Sequence, residues 1–534
     1  MIRQPERLGG GPFDLLIIGG GIVGAGIARD ATLRGLSVAL VEQGDFVSGT
    51  SSKTTKLIHG GIRYLEQWDL GLVREACRER RTLLTLAPHL VKPLPFLIPV
   101  YREGPRPAWK VRAGVLLYDW LAGRARLGPH AFYPPQRLQT LEPSLPADRL
   151  QGAAHYYDAQ MDDVRLCLEN ILGAAEAGAV VVNYARVTGM SRQGSRICGA
   201  EVQAGRGSWV VQATVVVNAT GPWADEVRRL ADPQARPVVR RTKGIHLVYP
   251  KLPIRQAIVC SADRDGRIFF VIPWRNWTLI GTTDTEFDGS PEQARATSDD
   301  VTYLLEETNR LLPKLRLQRE RIVTTFAGVR PLADQEAQVP WHASRSHRIH
   351  EDANGLLTIV GGKYTTYRAM AEEVVDRVAA RVGRFVTPCR TATLPLGGRD
   401  EWRADEGARA AMRELLGRGL LHPESHRHLV EWYGARCHAL VAMIQRDSRL
   451  AAPFCPSHAH LRAQVRYAVE QEAATTLSDV LWRRLEVAWA PCQGLDCAQA
   501  AAEVMADLLG WDATGIRRQV ETYRAEILAN RPVL

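Results

Sequence analysis

An α/β architecture on a parallel, nucleotide-type sheet, with an antiparallel β insert and an all-helical C-terminal region, is what three observations predict. The chain opens on a glycine turn between two apolar runs, further glycine turns recur at strand ends far downstream, and helical spacing takes over from about residue 388.

The opening elements come first. Residues 14–18, DLLII, form a short apolar run of the kind a buried strand shows. GGGIVGAGIARDATLRG follows, placing Gly19, Gly20, Gly21 and Gly24 in a G-x-G-x-x-G turn at the head of a helix, and LSVALVE gives a second buried strand ending in Glu42. Gly19 permits the tight turn, Gly21 lets a pyrophosphate reach the helix N-terminus, and Gly24 lets helix and strand pack closely. Glu42, some 20 residues on, can accept hydrogen bonds from a ribose diol. The motif alone is weak; flanked by two strands and an acid, it predicts dinucleotide binding.

The segments beyond Glu42 favour FAD over NAD. QGDFVSGTSSKTTK is a hydroxyl-rich loop that brings Thr50, Ser51, Ser52 and Lys56 toward pyrophosphate or flavin. ATVVVNATGPWAD (213–225) is a β-rich run ending in a turn with Ala219 and Gly221. GLLTIVGGKYTTYRAMAEEVVDRV (355–378) reads as a strand, a turn holding Gly362, Lys363 and Thr365, and an amphipathic helix. A helix N-terminus there would stabilise negative charge on reduced flavin. Each turn alone is an ordinary loop, but three in this order on one chain point to FAD.

Between these pieces, residues 238–283 hold short β-rich runs broken by charged and proline-containing turns, the pattern of an antiparallel sheet, and SDDVTYLLEETNRLLP adds one capped helix. The expected fold is an α/β flavoprotein: a Rossmann-like FAD-binding domain from 12–92, 155–235 and 327–387, an inserted antiparallel β cap from 93–154 and 236–326, and a helical domain over 388–534. A chain of 534 residues exceeds one core, in keeping with several domains. No run approaches the roughly 18 apolar residues of a spanning helix, and the N-terminus lacks the features of a secretory signal. Nine scattered cysteines suit a reducing compartment. The net charge of +10 attracts anions, although a solvated arginine-rich surface would produce it too.

IGGGIVGAGIARDATLRG and GGKYTTYRAMA resemble the two signature segments of the FAD-dependent glycerol-3-phosphate dehydrogenases of the respiratory, quinone-reducing kind. SSKTTKLIHGGIRYLE, NATGPW, KGIHLV, VIPW, IGTTD and GVRPL resemble that family in its order, and LWRRLEVAW resembles its helical C-terminal domain. The threonines of KTTK and a long segment before Asp14 depart from its pattern. The resemblance implies oxidation of sn-glycerol 3-phosphate to dihydroxyacetone phosphate, with electrons passing through FAD to membrane quinone. It also extends the cofactor set to His59, Gly60, Gly61 and Asp284.

The basic stretch KTTKLIHGGIRYLEQ then has a candidate anion. A phosphate dianion takes charge-assisted hydrogen bonds, for which arginine offers planar geometry. Arg63 and Arg330 are the expected cations, with Tyr64, Lys363 and Thr366 completing the substrate set. Oxidising a secondary alcohol requires C2 hydride to leave toward the flavin while the hydroxyl loses its proton, and a histidine suits that base role. His59 and His246 both stand in motif positions, and the sequence does not rank them.

Metal is not expected. HPESHRH (422–428) and HAH (458–460) read as solvated surface, and Cys492 and Cys497 are too isolated for zinc. RPAWKVRAGVLLYDWLAGRAR (106–126) carries Trp109, Val115, Leu116, Leu117, Trp120 and Leu121 among Lys110, Arg112, Arg124 and Arg126. That composition fits an interfacial helix, or else a cap helix packed on the core. The expected partners are glycerol 3-phosphate, ubiquinone or menaquinone, an anionic membrane surface and a second copy of the chain, without nucleic acid. The expected location is the cytoplasm, at the inner face of the membrane. The rival readings are an oxidase passing electrons to oxygen and, more remotely, a basic flavoprotein that acts as a binding module.

Overall fold

The computed structural model describes residues 3–333, 346–397 and 406–531. Two sheets organise it. In the first, the strands run in the order His347–Glu351, Leu357–Gly361, Gly207–Asn218, Phe13–Ile18, Val38–Val41, Val180–Val182. All neighbours are parallel except the edge strand His347–Glu351. Parallel strands covered on both faces are apolar throughout, and this explains why DLLII and LSVALVE show no alternation. The glycine-turn helix Ile22–Leu33 packs on this sheet beside Asp163–Glu176 and Tyr367–Val382.

The second sheet is predominantly antiparallel. Its order is Thr285–Glu286, Arg240–Pro250, Trp277–Gly281, Ile268–Trp274, Ala257–Ser261, Val91–Tyr101, Leu150–Met161, Leu57–Ile58, and Thr324–Leu332 pairs with Arg240–Pro250. Register aligns Thr242 with Arg330 and His246 with Phe326 on neighbouring strands. The expected helix after this sheet is Ser298–Leu311, and its start is a capping box in which Thr297 and Asp300 satisfy each other's backbone N–H groups. The expected boundaries at 154/155 and 326/327 fall inside single strands, Leu150–Met161 and Thr324–Leu332. Each of those strands pairs within the second sheet before the chain returns to the first.

The C-terminal region is helical: Glu406–Gly417, Pro423–Tyr433, Cys437–Arg446, Arg462–Glu472, Ala498–Leu509 and Ala513–Ala529. The stretch 460–490 is not one continuous helix. Helix Arg462–Glu472 stops where Ala473 turns left-handed (φ +56), and Asp479 accepts the N–H groups of Thr475 and Thr476 at 2.7 and 3.0 Å. A short turn, Asp479–Arg484, follows. It carries Arg483 and Arg484 back to the glycine-turn domain, where Asp45 receives them at 2.6 and 2.8 Å.

Candidate active site

A cavity of about 720 Å³ runs from the glycine turn to the second sheet. At one end, Gly19 (φ +112) makes the turn that aims the first N–H groups of Ile22–Leu33 into it. A methyl group on Gly24 would come within 1.9 Å of the Gly19 carbonyl oxygen, so the helix can start there only with glycine. Gly20 plays the same packing part against Phe46 and Glu42 and is not in the cavity wall. Ser51 Oγ accepts the Ile22 N–H at 3.0 Å, Thr50 is tied to the Val329 carbonyl, and both line the cavity with Ser52. Gly21, Glu42, Ala219, Gly221, Gly362 and Lys363 also line it. Glu42 accepts the Gly20 and Gly44 N–H groups at 2.7 and 2.9 Å, and burial pushes its carboxyl up. It therefore braces the turn as well as facing the ribose position.

Lys56 is a correction. Its ammonium is fully buried, paired with Asp163 and 4.7 Å from the centre of the Trp489 ring, and it is not in the cavity wall. Asp163 also accepts the Thr54 hydroxyl at 2.7 Å, so this pair fixes the loop. Lys53, absent from the expected set, is in the wall together with Lys363, Arg295 and Arg483. Desolvation, with Arg295 and Arg483 nearby, pushes the Lys53 ammonium down to about 8.

Phe326, Ala327 and Pro331 also line the cavity; of the expected substrate residues Lys363 is in its wall, and Arg63, Tyr64, Arg330 and Thr366 are not. The Lys363 ammonium lies 3.7 Å from the Tyr64 ring centre, and Arg63 donates to the Tyr64 hydroxyl at 3.2 Å. Arg330 pairs with Asp284 at 2.9 Å and donates to the Thr282 hydroxyl at 2.8 Å. Asp284 is thus the partner of Arg330 and is not in the cavity wall. Gly244, a residue of KGIHLV absent from the expected set, admits this arginine: a Cβ there would meet Nη2 at 2.1 Å. Thr366 is buried, and its hydroxyl donates to the Lys363 carbonyl at 3.4 Å, which leaves it in the helix cap.

The two histidines separate. His59 is half-buried, and its N–H and carbonyl are both held by the Thr365 hydroxyl. Desolvation, then the charges of Lys363 and Arg63, push its imidazole down to about 3. Gly60 N–H donates to Tyr118 and Asp158, and Gly61, left-handed, starts the turn that carries Arg63. His246 is sealed: its ring stacks 4.8 Å from Phe326, and its Nε2 lies 3.0 Å from the Thr55 hydroxyl. Desolvation, with Arg330, pushes it to about 3 as well.

A nucleotide cradle on a parallel sheet, walled on one side by Phe326, Ala327 and Pro331 of an antiparallel sheet, is the arrangement of a flavin-dependent oxidoreductase. The FAD-dependent oxidoreductase family model matches residues 14–377, and a model of the C-terminal domain of alpha-glycerophosphate oxidase matches 389–516. Glycerol-3-phosphate dehydrogenase 2 of Mycobacterium bovis is 40% identical over 531 residues, covering 98% of this chain and 89% of that one. The glycerol-3-phosphate dehydrogenase of Synechocystis is 37% identical, covering 96% and 95%. The crystal structure of the glycerol-3-phosphate dehydrogenase from Bacillus halodurans, complexed with FAD, superposes with a TM-score of 0.80 at 28% identity, covering 100% and 99%. The chain belongs to the FAD-dependent glycerol-3-phosphate dehydrogenase family, and its cofactor is FAD.

The cradle fits that cofactor. Its walls combine unhindered glycine backbone, a helix N-terminus, the hydroxyls of Thr50, Ser51 and Ser52, and a buried acid at the ribose end. Among the described residues, no helix is long and apolar enough to cross a membrane.

Proposed function

We propose that this chain oxidises sn-glycerol 3-phosphate to dihydroxyacetone phosphate and delivers the electrons to membrane quinone. The observation that carries the reading is two neutral histidines under cationic neighbours: Lys363 and Arg63 act on the half-buried His59, and Arg330, paired with Asp284, acts on His246. The bound FAD supplies the hydride acceptor. Arg330, oriented by Asp284 and Thr282, clamps the phosphate with Arg63. Lys363, held over Tyr64, adds charge that keeps His59 unprotonated. His59 takes the C2 hydroxyl proton; its partial exposure gives a substrate access that the sealed His246 lacks. His246, gripped by Thr55 and Phe326, shapes the wall beside Arg330. The second sheet closes over these groups and keeps bulk water from the reacting carbon.

Support for quinone comes from the surface. Trp109, Leu116 and Trp120 lie on one face of helix Ala108–Ala122 and are 72, 59 and 74% exposed, with Trp68, 79% exposed, as a further aromatic on the surface. Aromatic side chains at such exposure beside Arg124 and Arg126 suit the headgroup layer of an anionic membrane and support attachment at the inner face. The alternative acceptor, oxygen, draws support from the alpha-glycerophosphate oxidase likeness of the C-terminal region. Anaerobic addition of sn-glycerol 3-phosphate should bleach the flavin, and a soluble quinone should restore its colour much faster than air. Absence of bleaching would remove the substrate, and fast recovery in air alone would make the chain an oxidase.

A further inference from the structure

The fold assembles a side-chain cluster that its sequence spacing conceals. Cys455 and His458 lie in the loop after Ala452, Cys492 and Cys497 in the turns before helix Ala498–Leu509, and the two segments meet. The ligand atoms of Cys455, His458 and Cys492 all lie within 4.8 Å of one another, with Cys492 Sγ 3.8 Å from His458 Nε2. The Cys497 thiol lies within the same distance of Cys455 in a second, overlapping group with the exposed Asp496, so Cys497 would have to close toward His458 and Cys492 to join them. Cys455 and Cys497 are buried, while Cys492 and His458 are half-buried. HAH is therefore not solvated surface: His460 is buried too, against Phe454 and Trp432.

We propose that Cys455, His458, Cys492 and Cys497 form a structural site for a zinc-class divalent ion, with Cys497 taking the fourth position. Three thiols and an imidazole are the soft, borderline donors that select zinc over calcium or magnesium. Metal–sulfur bonds of about 2.3 Å and a metal–nitrogen bond of about 2.0 Å at tetrahedral angles set ligand atoms roughly 3.5–3.8 Å apart, the spacing found between Cys492 and His458. A disulfide would use only two of the four groups and leave the imidazole without a purpose. The ion would staple two segments that lack long regular elements. Gln493, next to Cys492, donates to the Val323 carbonyl at 2.8 Å, and its own carbonyl accepts the Tyr523 hydroxyl at 2.6 Å. Val323 leads directly into the strand bearing Phe326 and Arg330, so the ion would stiffen the rear support of the substrate sheet.

Elemental analysis of the full-length, FAD-loaded protein, purified in reductant without metal-affinity resin or chelator, provides the test. About one zinc per chain is expected. Cys455→Ser and Cys492→Ser should each lower it to background, whereas Cys198→Ser, at a remote cysteine, should keep it. Should those variants fail to fold, cobalt exchanged into the wild-type protein should give tetrahedral thiolate bands at wavelengths beyond oxidised flavin. Zinc at background with no cobalt bands would overturn the site. So would full zinc retention in the serine variants, or a Cys455–Cys492 or Cys455–Cys497 disulfide peptide in a parallel preparation made without reductant and alkylated at lysis.

Discussion

Gly244 and Arg330 show how a residue without a side chain sets the position of a charged one. Arg330 crosses the backbone of the neighbouring strand at Gly244, and no Cβ can be accommodated there unless the guanidinium moves. Gly244→Ala should displace the phosphate clamp and raise KM for sn-glycerol 3-phosphate, with little effect on unphosphorylated glycerol. Arg330→Ala should do the same, by about 2–4 kcal/mol, the scale of removing a charge-assisted hydrogen bond and leaving the phosphate unpaired. Equal losses on both substrates would assign Arg330 to folding alone. For the base, His59→Asn should slow anaerobic flavin reduction about 100-fold or more while binding survives. His246→Asn should cost less and keep the acidic limb of the wild-type pH profile. A His59→Asn enzyme that retains both rate and limb would exclude His59 as the base.

Among elements, legibility in the sequence tracked how local the cause was. The glycine turn, its flanking strands and the capped helix Ser298–Leu311 are specified by residues within a few positions of each other, and all are present. Lys56 was misplaced because its partner, Asp163, lies 107 residues away, and nothing near Lys56 signals that it is buried. The Cys455 cluster was missed for the same reason. Helix Ala108–Ala122 was half legible. Its apolar residues divide by helical phase: Val111, Val115, Tyr118 and Leu121 face the core, while Trp109, Leu116 and Trp120 face out. Tyr118 reaches the active-site loop, accepting the Gly60 N–H at 2.9 Å and donating to Asp158 at 2.6 Å. Three of the flanking cations are engaged locally, Lys110 with Glu66 at 3.1 Å, Arg126 with Asp119 at 3.9 Å and Arg112 over Phe132. Membrane affinity should therefore depend more on the outward tryptophans than on charge. Trp109→Ala with Trp120→Ala should weaken sedimentation with anionic liposomes and leave activity with a soluble acceptor unchanged. Undiminished sedimentation would place the membrane face elsewhere. By contrast, Asp163→Ala strands a buried ammonium and should destabilise the protein by about 3–5 kcal/mol.

At the scale of the whole molecule, burial of uncharged imidazoles couples folding to pH. His59 and His246 are held near about 3 and His89 near about 4, each mainly by desolvation. Arg63 and Lys363 act on His59, and Arg330 and Lys56 on His246, in the same direction. An unfolded chain protonates such histidines near 6.5. Between that value and the folded values, the unfolded state binds more protons, so stability rises with pH and is lost on acidification. The loss should begin as pH falls through about 6.5 and continue toward about 3, a window that overlaps the lower range where paired carboxylates titrate. Melting temperature of the flavin-free protein should therefore already decline between pH 6.5 and 5, before most carboxylates take up protons. Replacing His89, which lies outside the proposed substrate chamber, by a neutral residue of similar size should flatten that early decline without altering flavin reduction. His89→Gln is a suitable variant, because both ring nitrogens of His89 lack hydrogen-bond partners and the site is already adapted to an uncharged group. If the wild-type melting temperature is level across pH 6.5 to 5, the buried histidines are not being desolvated as described, and the neutrality assigned to His59 loses its physical basis.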